Sequence, residues 1–250
     1  MISNSIVKFS SHILMASLLI LSIVYIPKPR VVQVITNYKP YAFIHIPKTG
    51  GTTFKHWIQQ HPKSSISSYD HEETATTALF YQQTPITIIR DPIDRFISSF
   101  YYWKYGSEDI ARWRRAPNWK KADNIETVND LVTILKNPNH PRYKQTKRNI
   151  FSMDHITWMH FLPQSYWIAK AEQHIYFICY SKTELSNNIE HIMKKIGIDY
   201  EAKELLFKNR TLHKPIDEKI LSAASKAWIR KQYAEDQALY EKYCLKNNTK

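Results

Sequence analysis

Lys48, Gly50, Gly51, Thr52 and Thr53 stand together in the run Pro47-Lys48-Thr49-Gly50-Gly51-Thr52-Thr53, and each residue type suits an anion. Two glycines let backbone N–H groups come close to negative charge, and a helix opening beyond them favours it further. The threonine hydroxyls can donate to phosphate oxygens, and Lys48 adds a point charge. The pattern differs from GxxxxGK[ST], in which the lysine follows the glycines. Here it precedes them. A plain strand–turn–helix corner would explain Gly-Gly, but not the lysine and threonines as well.

A second run is Arg90-Asp91-Pro92-Ile93-Asp94-Arg95-Phe96-Ile97-Ser98. A guanidinium at Arg90 can fork onto a phosphate, and Ser98 lies about two helical turns further on. A capped helix with Asp94 and Arg95 in solvent ion pairs is the competing reading.

The elements that must position these runs follow from periodicity. Tyr41–Ile46 reads as a strand ended by Pro47, and Thr52–Gln60 as a helix with Phe54, Trp57 and Ile58 at helical spacing. Ile86–Ile89 is a second strand leading into Arg90, and Pro92 opens the next helix. Further helices are expected at Glu126–Leu135, Thr183–Ile196 and from about Ile216 to Leu245, with a third strand at Ile175–Tyr180. Strands alternating with helices predict a three-layer α/β/α fold with a central parallel sheet. Ligands in such folds bind beyond the carboxyl ends of the strands, where both chemical runs fall.

Composition bounds the chain without choosing a partner. With 43% apolar residues it can bury a core, and two cysteines cannot build a four-thiolate zinc site. Lys and Arg total 35 against 22 acidic residues, a formal +13, which calls for a polyanionic partner or an anionic surface. Without residues 1–30 the chain keeps 32 basic residues against 22 acidic, so the excess belongs to the remainder. Phe9–Ile26 carries no Asp, Glu, Lys or Arg and ends at Pro27. At 1.5 Å per residue it makes roughly 27 Å of helix, enough for a thin bilayer. We therefore expect residues 1–30 to be an N-terminal tail and signal-anchor helix, and 31–250 to form one soluble domain. Lys8 before the span and Lys28 and Arg30 after it leave its orientation undecided. In a lumenal chain Asn209 and Asn247 become glycosylation acceptors, and Cys179 and Cys244 can pair. Cys179 lies in a strand-like run, however, and reads as a buried small apolar residue.

Together the two runs resemble the nucleotide-binding signature of the sulfotransferases that use 3′-phosphoadenosine 5′-phosphosulfate (PAPS). The Pro-Lys-Thr-Gly-Gly-Thr-Thr loop is similar to that family's 5′-phosphosulfate loop, and Arg90 to Ser98 to its 3′-phosphate segment. Arg-x-Pro-x-x-Arg-x-x-Ser running into Phe100-Tyr101-Tyr102-Trp103 most resembles the Golgi type II carbohydrate enzymes of the heparan/dermatan 2-O group. Tyr180–Leu185 looks like the family's strand-to-helix join, and Asn209–Lys214 like its late basic loop. The resemblance implies a P-loop-like fold, PAPS as co-substrate, no metal, and a single-pass type II protein of a Golgi-like lumen. Lys48, Thr49, Gly50, Gly51, Thr52 and Thr53 would then hold the 5′-phosphosulfate, and Arg90 and Ser98 the 3′-phosphate. Arg210 and Lys214 would lie near the nucleotide. The general base would come from Tyr69-Asp70-His71-Glu72-Glu73, with His71 first because imidazole titrates near neutrality, and Glu72 second. Against this, His71 could merely cap a helix over Glu73–Tyr81. The 2-O-sulfating pattern has a His-x-His pair that this chain lacks.

The acceptor side is read from composition. Trp103, Arg112, Arg114 and Arg115 lie in a basic, Trp-bearing stretch to Lys121, and Lys136–Arg148 adds five basic residues and no acidic one. Cations bind carboxylates or sulfates and Trp faces stack on sugars, which suits an acidic glycan. The same mixture suits single-stranded nucleic acid, which the resemblance does not lead us to expect. A P-loop-like nucleotide kinase and an inactive polyanion-binding membrane protein are the two rival functions.

Overall fold

The computed structural model describes residues 38–106, 125–151, 158–200 and 221–246. The expected N-terminal span lies outside the described residues, among which no helix is long and apolar enough to cross a membrane. The described residues from Lys39 onward belong to one unit, Lys39–Lys250.

Four parallel strands form the centre: β1 (Tyr41–Ile44), β2 (Ile66–Tyr69), β3 (Thr84–Ile89) and β4 (Tyr176–Cys179), in the order β2-β1-β3-β4. Side chains alternate across the sheet, as strand geometry requires. Phe43, Ile86, Ile88 and Ile178 face one way and pack on α1 (Gly51–Gln60) and, beyond β4, on α8 (Leu185–Lys195). Ala42, Ile44, Ile89 and Phe177 face the other way. There they meet α2 (Ala75–Phe80), α7 (Ser165–Ile168), the 3-10 turn Ala169–His174 and residues Leu239 and Cys244. Helices thus cover both faces of the expected parallel sheet. A helical cluster beside it joins α3 (Pro92–Tyr105), α4 (Val128–Lys136), α5 (Tyr143–Phe151), α6 (Trp158–Phe161) and α9 (Ala223–Gln232).

Several boundaries differ from expectation for local reasons. β1 stops at Ile44, because the Ile46 N–H turns back to the Ile44 carbonyl at 3.2 Å. β3 begins two residues early and includes Pro85, which lacks the N–H a central strand needs. Pro85 pairs only with β1, since pairing with β4 starts at Ile86. The C-terminal helix is broken at Tyr233 into α9 and α10 (Ala234–Tyr240), followed by a π-helical turn over Glu241–Leu245.

The cysteines also depart from expectation. Cys179 is not a free apolar residue: it forms a disulfide with Cys244, 65 residues away, with Cα atoms 5.6 Å apart. The bridge ties the end of β4 to the C-terminal helical turn.

Candidate active site

Chain order and sheet order diverge at β1. The connection through α1 crosses one face to β2, and the return through α2 crosses the other face to β3. A crevice at the carboxyl ends of β1 and β3 is the expected result. The loop after β1 carries the first chemical run and the loop after β3 the second. Lys48 (φ 67°) and Gly50 (φ 88°) both take left-handed backbone there, which is costly for the lysine and cheap for the glycine. Thr49 is fully buried and donates its hydroxyl to the Ile46 carbonyl at 2.9 Å, so its side chain braces the loop. A Cβ on Gly51 would stand 2.3 Å from Cδ2 of His45. Only glycine fits.

Helix α1 opens from this loop without a side-chain cap and with no acidic residue in its first turn. The Thr53 N–H turns back to the Gly50 carbonyl at 3.3 Å, and a helix start that no side chain caps is attractive to anions. The contrast is α3, where the Asp91 carboxylate accepts from the N–H groups of Ile93 and Asp94 at 2.9 and 3.0 Å. Helix α4 is likewise closed by the Thr127–Asp130 capping box.

The second run holds the first in place. Arg90 Nη1 donates to the Lys48 carbonyl at 3.2 Å, its guanidinium lies 4.3 Å from the Tyr180 ring centre, and its Nε is buried without a partner. Arg95 is 2% exposed, which corrects the competing reading of a solvent ion pair. Its Nε donates to the Pro47 carbonyl at 2.9 Å and its Nη1 to the Leu162 carbonyl at 2.6 Å. One turn on, the Ser99 hydroxyl reaches the His160 carbonyl at 2.7 Å. Gln164 closes the frame by exchanging two 2.9 Å bonds with the backbone of Arg90. The buried Asp236 carboxylate accepts in turn from the N–H groups of Gln164 and Ser165.

Three imidazoles gather beside Lys48. His71 Nδ1 lies 2.8 Å from the His45 carbonyl. A carbonyl only accepts, so the neutral ring carries its proton on Nδ1 and keeps an acceptor lone pair on Nε2. The His45 and His71 rings are 4.4 Å apart, and His160 stands 6.3 Å from His71. Burial lowers the pKa of all three; the His45 carbonyl and the Asp70 and Glu72 charges partly oppose this at His71. The His71 segment is fixed by Trp167 Nε1, which donates to the His71 carbonyl at 2.8 Å, and by the ion pair of Lys55 with Asp70. Helix α2 starts after Thr74, whose N–H meets Thr77 Oγ1 at 3.4 Å, so His71 is not its cap. The Lys48 ammonium rests 4.0 Å from the centre of the Tyr102 ring, which His160 also meets at 4.5 Å. Ser98 lies one turn before Tyr102 on the same side of α3.

A family model described as the sulfotransferase family matches residues 34–243. The chain belongs to the sulfotransferase family. A comparison with curated proteins and one with solved structures each found no match.

In this sulfotransferase the two sequence runs do meet, through the bonds of Arg90 and Arg95 to the loop. His71 lies in the same cluster, whereas Glu72 is exposed. Trp103, expected to stack on an acceptor, is 1% exposed and packs against Phe100 and Phe161; core packing takes the place of a sugar platform. Arg112, Arg114, Arg115, Arg210 and Lys214 lie outside the described residues. No group of three or more His, Cys, Asp or Glu is placed to hold a metal among the described residues. The sulfotransferase also uses residues the sequence did not single out. Arg95 carried a signal, being a charge among Ile93, Phe96, Ile97 and Phe100 on the apolar side of a helix. His160, Gln164 and Asp236 carried none, since they come from later segments brought in by tertiary packing.

Proposed function

We propose that this sulfotransferase is a PAPS-dependent O-sulfotransferase acting on an acidic glycan, akin to the heparan/dermatan 2-O group. The observation that carries the reading is the uncapped start of α1 with the Lys48 loop in front of it. Sulfotransferases in general take the sulfuryl group from PAPS, and the residues present suit that nucleotide. The left-handed turn at Gly50 leading into the uncapped start of α1 suits a phosphosulfate, and the buried, unpartnered Nε of Arg90 suits a phosphate. PAPS, when bound, supplies a sulfuryl group on an anhydride oxygen whose bond to sulfur breaks as the acceptor oxygen bonds to it.

The chain's own residues then do three things. Backbone N–H groups of Gly50, Gly51 and Thr52, with the hydroxyls of Thr52 and Thr53, hold the 5′ end, while Arg90 and Ser98 hold the 3′-phosphate, with Arg210 and Lys214 nearby. Lys48 places positive charge where the leaving oxygen becomes negative, the main electrostatic task in a loose group transfer. His71 Nε2 accepts the proton of the acceptor hydroxyl; Glu72 is the reserve candidate. Exposed Lys144, Lys147 and Arg148 on α5 support an acidic acceptor, with Arg112, Arg114 and Arg115 as further contacts. The Cys179–Cys244 bridge favours an oxidising, Golgi-like lumen, reached as a single-pass type II membrane protein through Phe9–Ile26.

The test is thermal melting of the full chain with adenosine 3′,5′-bisphosphate, 5′-AMP or ATP-Mg. A ligand at 100 times its Kd adds about 2.7 kcal/mol, so selective stabilisation by the bisphosphate, by roughly 5–10 °C, is expected. Stabilisation by ATP-Mg alone would replace the reading with a nucleotide kinase. No shift with any nucleotide would leave a polyanion-binding protein.

A further inference from the structure

We propose that Tyr102 is a positioning residue that perches the Lys48 ammonium on its ring and so sets where the loop's charge stands. The inference rests on the sulfuryl-transfer reading for its consequence, but its geometry stands alone. Lys48 Nζ is 4.0 Å from the Tyr102 ring centre, within cation–π range. The ring is itself held: His160 meets it edge to face at 4.5 Å, and α3 is lashed one turn earlier by Ser99 to the His160 carbonyl and two turns earlier by Arg95 to Pro47. The Lys48 backbone is pinned by Arg90 in its left-handed turn. Perch and lysine therefore hang from one frame, and the flexible methylene stem between them has a fixed point at each end. Burial pushes the Tyr102 phenol up to about 12, so the ring meets the ammonium as a neutral π face and not as a phenolate.

The attraction favours the ammonium over the free amine, which gives a readout that does not depend on turnover. Wild type, Tyr102→Phe and Tyr102→Leu full chains are treated with acetyl N-hydroxysuccinimide ester at pH 8, and acylation of Lys48 is followed by peptide mass spectrometry. Loss of the ring should speed Lys48 acylation about tenfold in Tyr102→Leu, while Tyr102→Phe stays within a few-fold of wild type. Adenosine 3′,5′-bisphosphate binding is measured in parallel. If Tyr102→Leu does not fold, Tyr102→Met supplies the non-aromatic variant. Equal acylation rates in a folded non-aromatic variant and wild type overturn the perch. Faster acylation in the non-aromatic variant, with a wild type that binds no bisphosphate, keeps the perch and overturns the nucleotide reading. Bisphosphate binding with unchanged acylation does the reverse.

Discussion

Arg95, on the helix that follows β3, donates through Nε to the carbonyl of Pro47, in the loop that follows β1, at 2.9 Å. The two chemical runs are thus joined by a buried cation that touches neither solvent nor a carboxylate at bonding distance among the described residues. Arg95→Leu should strip donors from the Pro47 and Leu162 carbonyls and leave Asp236 without its nearby cation. A loss of about 3 kcal/mol is expected, together with weaker bisphosphate binding. Denaturant unfolding and a binding titration check both; wild-type stability would show that the loop needs no such brace.

Lys48→Ala keeps the fold, because the side chain is only half-buried and its backbone is held through its carbonyl. Turnover should fall by roughly 100- to 1,000-fold, the usual cost of removing one transition-state donor. Single-turnover transfer from radiolabelled PAPS to a heparan acceptor measures it. Wild-type rates would remove Lys48 from the mechanism.

His71→Ala should lower kcat by about 100-fold or more and change nucleotide affinity little. The pH dependence has a definite sign. Burial places the imidazole pKa below 6.5, so the ring is neutral and able to accept a proton at neutral pH. As pH falls through that lowered value the ring becomes protonated and kcat declines. The acid limb of kcat should therefore have its midpoint below 6.5 and vanish in His71→Ala. A limb that survives the substitution moves the role to Glu72 or another group.

Gly51→Ala tests the cradle sterically. The added methyl meets the buried His45 ring at 2.3 Å, and His45 is backed by Phe43 and His71. Overpacking of this kind costs about 1–3 kcal/mol, and the displaced His45 carbonyl should also disturb His71. Melting and bisphosphate titration of the variant should both fall; an unchanged protein would mean the ring moves freely.

Cys244→Ser opens a 65-residue loop. Chain entropy predicts a loss of about 4 kcal/mol, or roughly 10 °C in melting temperature for a chain of this size. Non-reducing and reducing melts of the wild type should differ by the same amount.

Much of the scaffold was legible because its signals are local. β1, β3 and β4 are apolar runs, Pro92 and Asp91 open α3, and Gly-Gly marks the turn into α1. β2 was not legible: Ile66-Ser67-Ser68-Tyr69 sits at a sheet edge, where only Ile66 is fully buried and serines are tolerated. Pro85 hid the true start of β3, since its missing N–H is harmless only where one neighbour is absent. In the site, residues that advertise an anion by type and spacing could be read directly. Those that act by tertiary placement could not. Nothing in Trp158-Met159-His160-Phe161 distinguishes an imidazole beside Tyr102 from one in solvent, and nothing near Asp236 announces that its carboxylate caps Gln164 and Ser165.

The cystine at the end of β4 also has a bearing on the order of events during synthesis. Cys179 immediately precedes Tyr180, whose ring carries Arg90 and abuts Gly50. Its partner leaves the ribosome 65 residues later. The loops of residues 47–53 and 90–98 can be made and folded early, yet the wall behind Arg90 is locked only after Cys244 has emerged and been oxidised. A chain released before that point would present both runs without their clamp, so oxidation of Cys244 is the step that fixes the wall behind Arg90.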